Sequence, residues 1–233
     1  MKKIGIIGGI GPESTVEYYK GIINVFRQQS GNEATYPEII ICSVDMSRML
    51  QMIETQKWNT FIDFLLDNIN ALHNAGAQFA AIAANTPHIV FDEVKAKAPI
   101  PLLSIVEQTC VKAAQMGLKR VGLIGTKFTM QSDFYQKVFR QKGISIFVPN
   151  AAEQQLIHDK LMSEIELGVI KETTRQQLLS IVKHMIEENS ISGLILGCTE
   201  LPLILDKDEY GIPFLNTSAI HIESIVQYCM QDS

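Results

Sequence analysis

Along this chain, short apolar β-branched runs alternate with longer stretches in which apolar residues recur at helical spacing. That alternation is the signature of βαβ units and predicts an α/β fold with parallel sheets. The runs predict strands over 3–7, 38–43, 79–83, 102–104, 120–124, 145–148, 193–196 and 213–215. The helical spacing predicts helices over 13–29, 57–75, 105–116, 130–142, 153–167, 173–188 and 219–230. Several strands are apolar at every position, as expected where helices cover both faces of a sheet. Gly76, Gly117 and Gly143 each follow a predicted helix, the usual place of a C-cap glycine.

The pattern repeats. Ile4-Gly5-Ile6-Ile7-Gly8-Gly9 is echoed by Val121-Gly122-Leu123-Ile124-Gly125-Thr126, and Ala81-Ile82-Ala83-Ala84-Asn85-Thr86 by Leu194-Ile195-Leu196-Gly197-Cys198-Thr199. Gly8 and Gly125 stand 117 positions apart, Ala84 and Cys198 114. Two matches at nearly one offset point to two related halves. They put Ala84-Asn85-Thr86 and Gly197-Cys198-Thr199 at equivalent places past the carboxyl ends of strands, the edge where open parallel sheets bind ligands.

Composition changes the picture only by exclusion. With 46% hydrophobic and 19% charged residues the chain has a globular composition, which excludes disorder. Twenty basic against 25 acidic residues give a net charge of −5, with no electrostatic reason for nucleic acid or an anionic membrane as partner. No apolar run is long enough to span a bilayer. Met1-Lys2-Lys3 resembles the start of a signal peptide, but the apolar run breaks at Gly8-Gly9, so it reads as a buried first strand. Cys42, Cys110, Cys198 and Cys229 show neither a CxxC nor paired spacing, so they predict free thiols and a cytoplasmic protein. There is no HExxH and no tight His/Asp/Glu cluster, and no metal site is expected.

Cys198, between Gly197 and Thr199 with Glu200 next in line, is the candidate reactive group. Helix N-terminal amides can lower a thiol there from about 8.5 and make it a base or nucleophile; the plainer reading is a buried inert cysteine. The other three cysteines read as packing. Asn85, Thr86 and His88 end a buried strand and can hydrogen-bond a ligand, or serve as turn and cap residues. Gly8-Gly9-Ile10-Gly11-Pro12 lacks the spacing of a phosphate loop, and is expected to form a tight turn whose amides, at Gly9, Ile10 and Gly11, can meet a carboxylate. Thr126 and Thr129 offer hydroxyls to an anion or cap a helix, and Arg48 can pair with a carboxylate or stand solvated. Glu164 and Glu166, two apart, do not share a helix face and are not read as an acid/base couple.

Taken together, Gly8–Thr15, Asn85-Thr86-Pro87-His88, Gly125-Thr126-Lys127-Phe128-Thr129, Gly197-Cys198-Thr199-Glu200 and Thr217 through His221 resemble the aspartate/glutamate racemase family from end to end. The resemblance implies two similar Rossmann-like α/β domains related by a pseudo-two-fold, with the active site in the cleft between them. It implies a first domain of 1–103 completed by 213–233, a second of 104–212, and a homodimer. It further implies a racemase of aspartate or glutamate that uses no pyridoxal phosphate or other cofactor. Two thiols would work on opposite faces of the α-carbon, because inversion needs a base on one side and an acid on the other. Asn85, Thr86, Thr126, Thr129, Thr199 and the Gly9–Gly11 backbone would hold the carboxylates.

Cys198 matches the second catalytic cysteine of that family. Position 84, where the first belongs, is Ala84, and a methyl group carries no proton. Three readings are open: an engineered Cys-to-Ala variant, a natural one-thiol member in which water or Thr86 serves the other face, or a member that has lost racemisation. The alternative outside catalysis is a protein that binds an amino acid or dicarboxylate without turnover. Single-cysteine decarboxylation or isomerisation also fits the residues chemically.

Overall fold

The computed structural model describes residues 1–31 and 35–231. The chain divides into two compact units: Met1–Ile105 with His221–Ser233, and Val106–Ile220.

In the first unit β1 (Ile4–Gly8) leads into α1 (Pro12–Ser30), followed by β2 (Ile39–Ser43), α2 (Met46–Glu54), α3 (Trp58–Asn74), β3 (Phe79–Ile82), α4 (Phe91–Lys97) and β4 (Leu102–Leu103). A 3-10 turn, Thr86–Val90, separates β3 from α4. The sheet is parallel with order β2-β1-β3-β4. Every residue of β1 and β3 is buried, which is why both read as unbroken apolar runs.

The second unit runs α5 (Ile105–Gln115), β5 (Arg120–Gly125), α6 (Lys127–Gln131), α7 (Phe134–Arg140), β6 (Ser145–Phe147), α8 (Ala151–Ser163), α9 (Glu172–Asn189), β7 (Gly193–Gly197) and β8 (Phe214–Asn216). Its order is β6-β5-β7-β8, again parallel. The two sheets therefore repeat one topology, with β1 matching β5 and β3 matching β7, the pairs that echo in sequence.

α10 (Thr217–Met230) begins directly after β8, and the division between units falls within its first turns. Ile222, Ile225, Val226 and Cys229 pack with Tyr18, Ile22 and Phe26 of α1 and with Ile4, Ile6 and Phe79. On α1 the buried residues Ser14, Tyr18, Ile22 and Phe26 recur every fourth position, one stripe of the helix. Full burial of each such aliphatic or aromatic side chain is worth about 1.5–3 kcal/mol. His221, wholly buried, ties three elements: its Nδ1 lies 2.9 Å from the Tyr18 hydroxyl and its Nε2 donates to the Leu103 carbonyl at 3.2 Å.

Three expectations are corrected. Residues 213–220 belong to the second unit, because Phe214–Asn216 pairs with β7 through Leu194↔Phe214 and Ile195↔Leu215. The single helix expected over 130–142 is α6 and α7, broken where Ser132 turns extended (φ −85°, ψ 160°). α2 has no counterpart among the predicted helices; Asp45 caps it by accepting from the Ser47 amide at 2.9 Å, and Met49, Met52 and Ile53 bury its one apolar stripe. Gly76, Gly117 and Gly143 all adopt the left-handed conformation after their helices. Among the described residues no helix is long and apolar enough to cross a membrane.

Candidate active site

Within the first unit, adjacent parallel strands bring two loops side by side. Ile7 pairs with Ile82, and the Ala83 amide donates to the Ile7 carbonyl at 2.9 Å. The Gly8–Gly11 turn and the Ala84–Thr86 segment therefore leave the same sheet edge. Buried Ser14 of α1 donates to the Ala83 carbonyl at 3.0 Å and fixes the second segment to the helix.

The turn after β1 is locked from within. Gly9 has φ +83°, and a Cβ there would lie 2.3 Å from the Val44 carbonyl oxygen and 2.6 Å from the Val44 nitrogen. Only glycine fits. The Gly9 amide donates to Thr15 Oγ1 at 2.8 Å. Gly11 caps α1, accepting from the Thr15 amide and hydroxyl, and Ile10 is buried between them. Arg48 is exposed on α2, its guanidinium 5.1 Å from the centre of the Phe64 ring.

Ala84, Asn85, Thr86 and His88 are all buried. The Asn85 carbonyl accepts from the His88 amide at 3.0 Å, and His88 Nδ1 lies 3.2 Å from the same oxygen. Desolvation pulls His88 down to about 4, so its ring is neutral at neutral pH.

In the second unit β5 and β7 end together at Gly125↔Gly197. A Cβ on Gly125 would fall 2.7 Å from the Gly197 carbonyl, so the two loops meet backbone to backbone. Thr126 takes the capping role: its Oγ1 accepts from the Thr129 amide at 3.3 Å and lies 3.2 Å from Thr129 Oγ1. Thr129 is fully buried.

Cys198, 6% exposed, comes directly after β7. Its thiol donates to Glu200 Oε2 at 3.0 Å, and the Thr199 hydroxyl donates to that same oxygen at 2.8 Å. Glu166 Oε1 is 3.9 Å from the sulfur, on the 3-10 turn after α8. Burial first, then the charges of Glu200 and Glu166, hold the Cys198 thiol well above its ordinary pKa. Burial and the two carboxylates thus outweigh any lowering by backbone amides, and the chain beyond Cys198 forms only the three-residue 3-10 turn Leu201–Leu203, not a helix. Desolvation and the Glu200 charge push Glu166 up to about 7.

Sequence reasoning missed Glu166. It stands 32 positions before Cys198, and its spacing from Glu164 gave no sign of pairing. The two glutamates have opposite fates. Glu164 accepts from Lys160, Lys171 and Thr174, which hold it down at about 2. The ligand atoms of Glu166, Cys198 and Glu200 lie within 4.8 Å of one another, a thiol and two carboxylates that suit proton sharing and could also meet a cation. The remaining cysteines are held by neighbours: Cys42 donates to Asn68 Oδ1, Cys110 to the Val138 carbonyl and Cys229 to the Lys2 carbonyl.

The sequence profile of the Asp/Glu/Hydantoin racemase family matches residues 7–225. The broad specificity amino-acid racemase RacX of Bacillus subtilis is 27% identical, over 96% of each chain. The crystal structure of an aspartate racemase homologue from Pyrococcus horikoshii superposes with a TM-score of 0.84 at 35% identity, covering 99% of this chain and 100% of the other. A glutamate racemase from Francisella tularensis, solved with D-glutamate, shares the fold at TM-score 0.69 and 18% identity, over 97% of this chain and 80% of the other. The chain, with its doubled four-stranded parallel sheet and Cys198 at the end of β7, belongs to the Asp/Glu/hydantoin racemase family.

Proposed function

We propose that the chain is an amino-acid racemase acting on acidic amino acids without pyridoxal phosphate, with Cys198 as its one thiol acid/base. The observation that carries this reading is the buried Cys198 thiol, hydrogen-bonded to Glu200 and beside a Glu166 poised near neutrality. At rest the sulfur keeps its proton. To act as a base, Cys198 passes that proton to the Glu166 carboxylate, giving a thiolate and a carboxylic acid. The thiolate then takes the substrate α-hydrogen, and the electron pair of the C–H bond moves into the α-carboxylate. Return of a proton from the Cys198 thiol regenerates the same hand; delivery to the other face gives inversion.

On the equivalent loop of the first unit Ala84 presents a methyl group, so the second proton must come from water or from Thr86. The consequence is hydrogen exchange faster than inversion. Asn85, Thr86, Thr129 and Thr199 hold the carboxylates in this reading, and the homodimer and cytoplasmic setting of the family belong to it. The test is incubation in D₂O with L- and D-amino acids, acidic ones first, then a broader set suggested by the RacX likeness. Deuterium at Cα that disappears in Cys198→Ala supports it; binding with no exchange above that variant overturns it.

Ala84 and the raised Cys198 pKa favour a second reading, a member that holds an amino acid or dicarboxylate without turnover. It predicts thermal stabilisation by aspartate or glutamate with no deuterium incorporation.

A further inference from the structure

We propose that His88 is a positioning residue that sets the Ala84–Asn85–Thr86 turn through its Nδ1–H, and so governs how tightly the first unit holds a substrate carboxylate. The substrate part of this rests on the reading of Asn85 and Thr86 as carboxylate-holding residues.

The Asn85 carbonyl receives two contacts from one residue, the His88 amide at 3.0 Å and His88 Nδ1 at 3.2 Å. A carbonyl oxygen only accepts, so Nδ1 carries the hydrogen and the tautomer is fixed. Nε2 is then a lone-pair acceptor, and it is buried with no hydrogen-bond partner. The ring lies flat on Phe91, centroids 4.6 Å apart at 15°, and so rests on the start of α4.

Packing alone does not favour this arrangement. Phenylalanine would fill the same space, stack on Phe91 in the same way and bury no orphan acceptor; an unpartnered nitrogen loses its hydration with nothing to offset it. The one thing phenylalanine cannot supply is the Nδ1–H. Its target carbonyl belongs to the residue directly after Ala84, in a turn that Pro87 stiffens and that Ser14 ties to α1 through the Ala83 carbonyl. The clamp holds the backbone from which Asn85 and Thr86 project. Burial keeps the imidazole neutral, so it donates in one fixed way across the neutral range.

The experiment compares His88→Asn, which keeps a donor near the Nδ1 position but loses the stack, with His88→Phe, which keeps the stack but loses the donor. KM and kcat for α-hydrogen exchange and the calorimetric Kd for aspartate are measured for both. A clamp predicts KM and Kd within about threefold of wild type for His88→Asn, and at least tenfold higher for His88→Phe with kcat little changed. The opposite ranking is what packing alone would give, and it overturns the proposal. Long-range ¹⁵N–¹H spectra of the unmodified protein add a readout that needs neither variant nor turnover. The Nδ1–H tautomer is expected at His88, and the Nε2–H tautomer overturns the clamp. A wild-type protein that neither exchanges nor binds aspartate counts against the racemase reading, and the tautomer still decides His88.

Discussion

The Cys198 thiol and the Thr199 hydroxyl donate to a single oxygen of Glu200, at 3.0 and 2.8 Å. Two neighbouring side chains thereby share one acceptor, and the sulfur stays protonated at rest. Cys198→Ser keeps the shape and one donor but puts a far weaker acid at the proton-transfer position. Deuterium exchange into aspartate is expected to fall by at least about 10³-fold in Cys198→Ser, as in Cys198→Ala. Retention of more than a tenth of the wild-type rate in either would remove Cys198 from the chemistry.

Glu166 sets the pH dependence of that transfer. Only its carboxylate can take the Cys198 proton, so exchange is expected to fall as pH drops through about 7. Glu166→Gln should lower exchange about 10²-fold and abolish this limb of the profile. Stability moves the other way. Its folded pKa lies above the unfolded value, so the folded state binds the extra proton between about 4.5 and 7, and the cost of the buried charge grows across that window and is complete above it. Glu166→Gln should therefore raise the melting temperature at pH 8 and much less at pH 5.

His88 and His221 act in the opposite sense over an overlapping range. Their folded pKa values, about 4 and about 3, lie below the ordinary 6.5, so the unfolded chain binds protons first as pH falls. Their stabilisation is complete above 6.5 and is lost on the way down, each at up to about 1.4 kcal/mol per pH unit. Urea titrations at pH 7, 5.5 and 4.5 should show this decline, and His221→Phe should flatten it. A pH-independent midpoint in that range would contradict the buried neutral assignment.

Gly9→Ala places a methyl against the Val44 backbone at a φ that disfavours any side chain. A loss of about 2–4 kcal/mol is expected from strain and overpacking together, read from chemical denaturation. A change below about 0.5 kcal/mol would show that the turn can relax.

Ala84→Cys restores a thiol to the loop equivalent to that of Cys198. If the proposed chemistry holds, the ratio of racemisation to deuterium exchange should rise at least tenfold, as followed by chiral chromatography beside mass spectrometry. An unchanged ratio would mean that water or Thr86 already supplies the second face without limitation.

The inner strands β1, β3, β5 and β7 were legible because they are buried on both faces, which leaves almost no polar position to blur the apolar run. The repeat was legible for the same reason, with β1 and β5, β3 and β7 under the same packing constraint. β2 is only half-buried, yet its run of isoleucines still marks it as a strand. α2 was not legible, since its apolar stripe consists of two methionines and an isoleucine in nine residues, capped by an aspartate that also suits a loop. Residues 213–220 were misassigned because strand pairing is a long-range choice, and Phe214–Asn216 carries no local mark of its partner. In the site, Cys198 stood out by its place after a strand. Glu166 did not, because its approach to the thiol depends on where the turn after α8 meets the end of β7 in the folded chain. The direction of the Cys198 shift was likewise set first by burial and then by two carboxylates, Glu200 next but one in the chain and Glu166 from the turn after α8.

The core of the first unit takes Ile222, Ile225, Val226 and Cys229 from α10, more than a hundred residues after its last strand. On a ribosome, where the chain emerges from its amino end, the first unit to begin is the last that can be finished. The second unit is continuous and can close on its own while the strands made before it still lack a wall. The order of birth and the order of completion are reversed, and a nascent chain halted before residue 221 would expose the apolar face of α1 that α10 later covers.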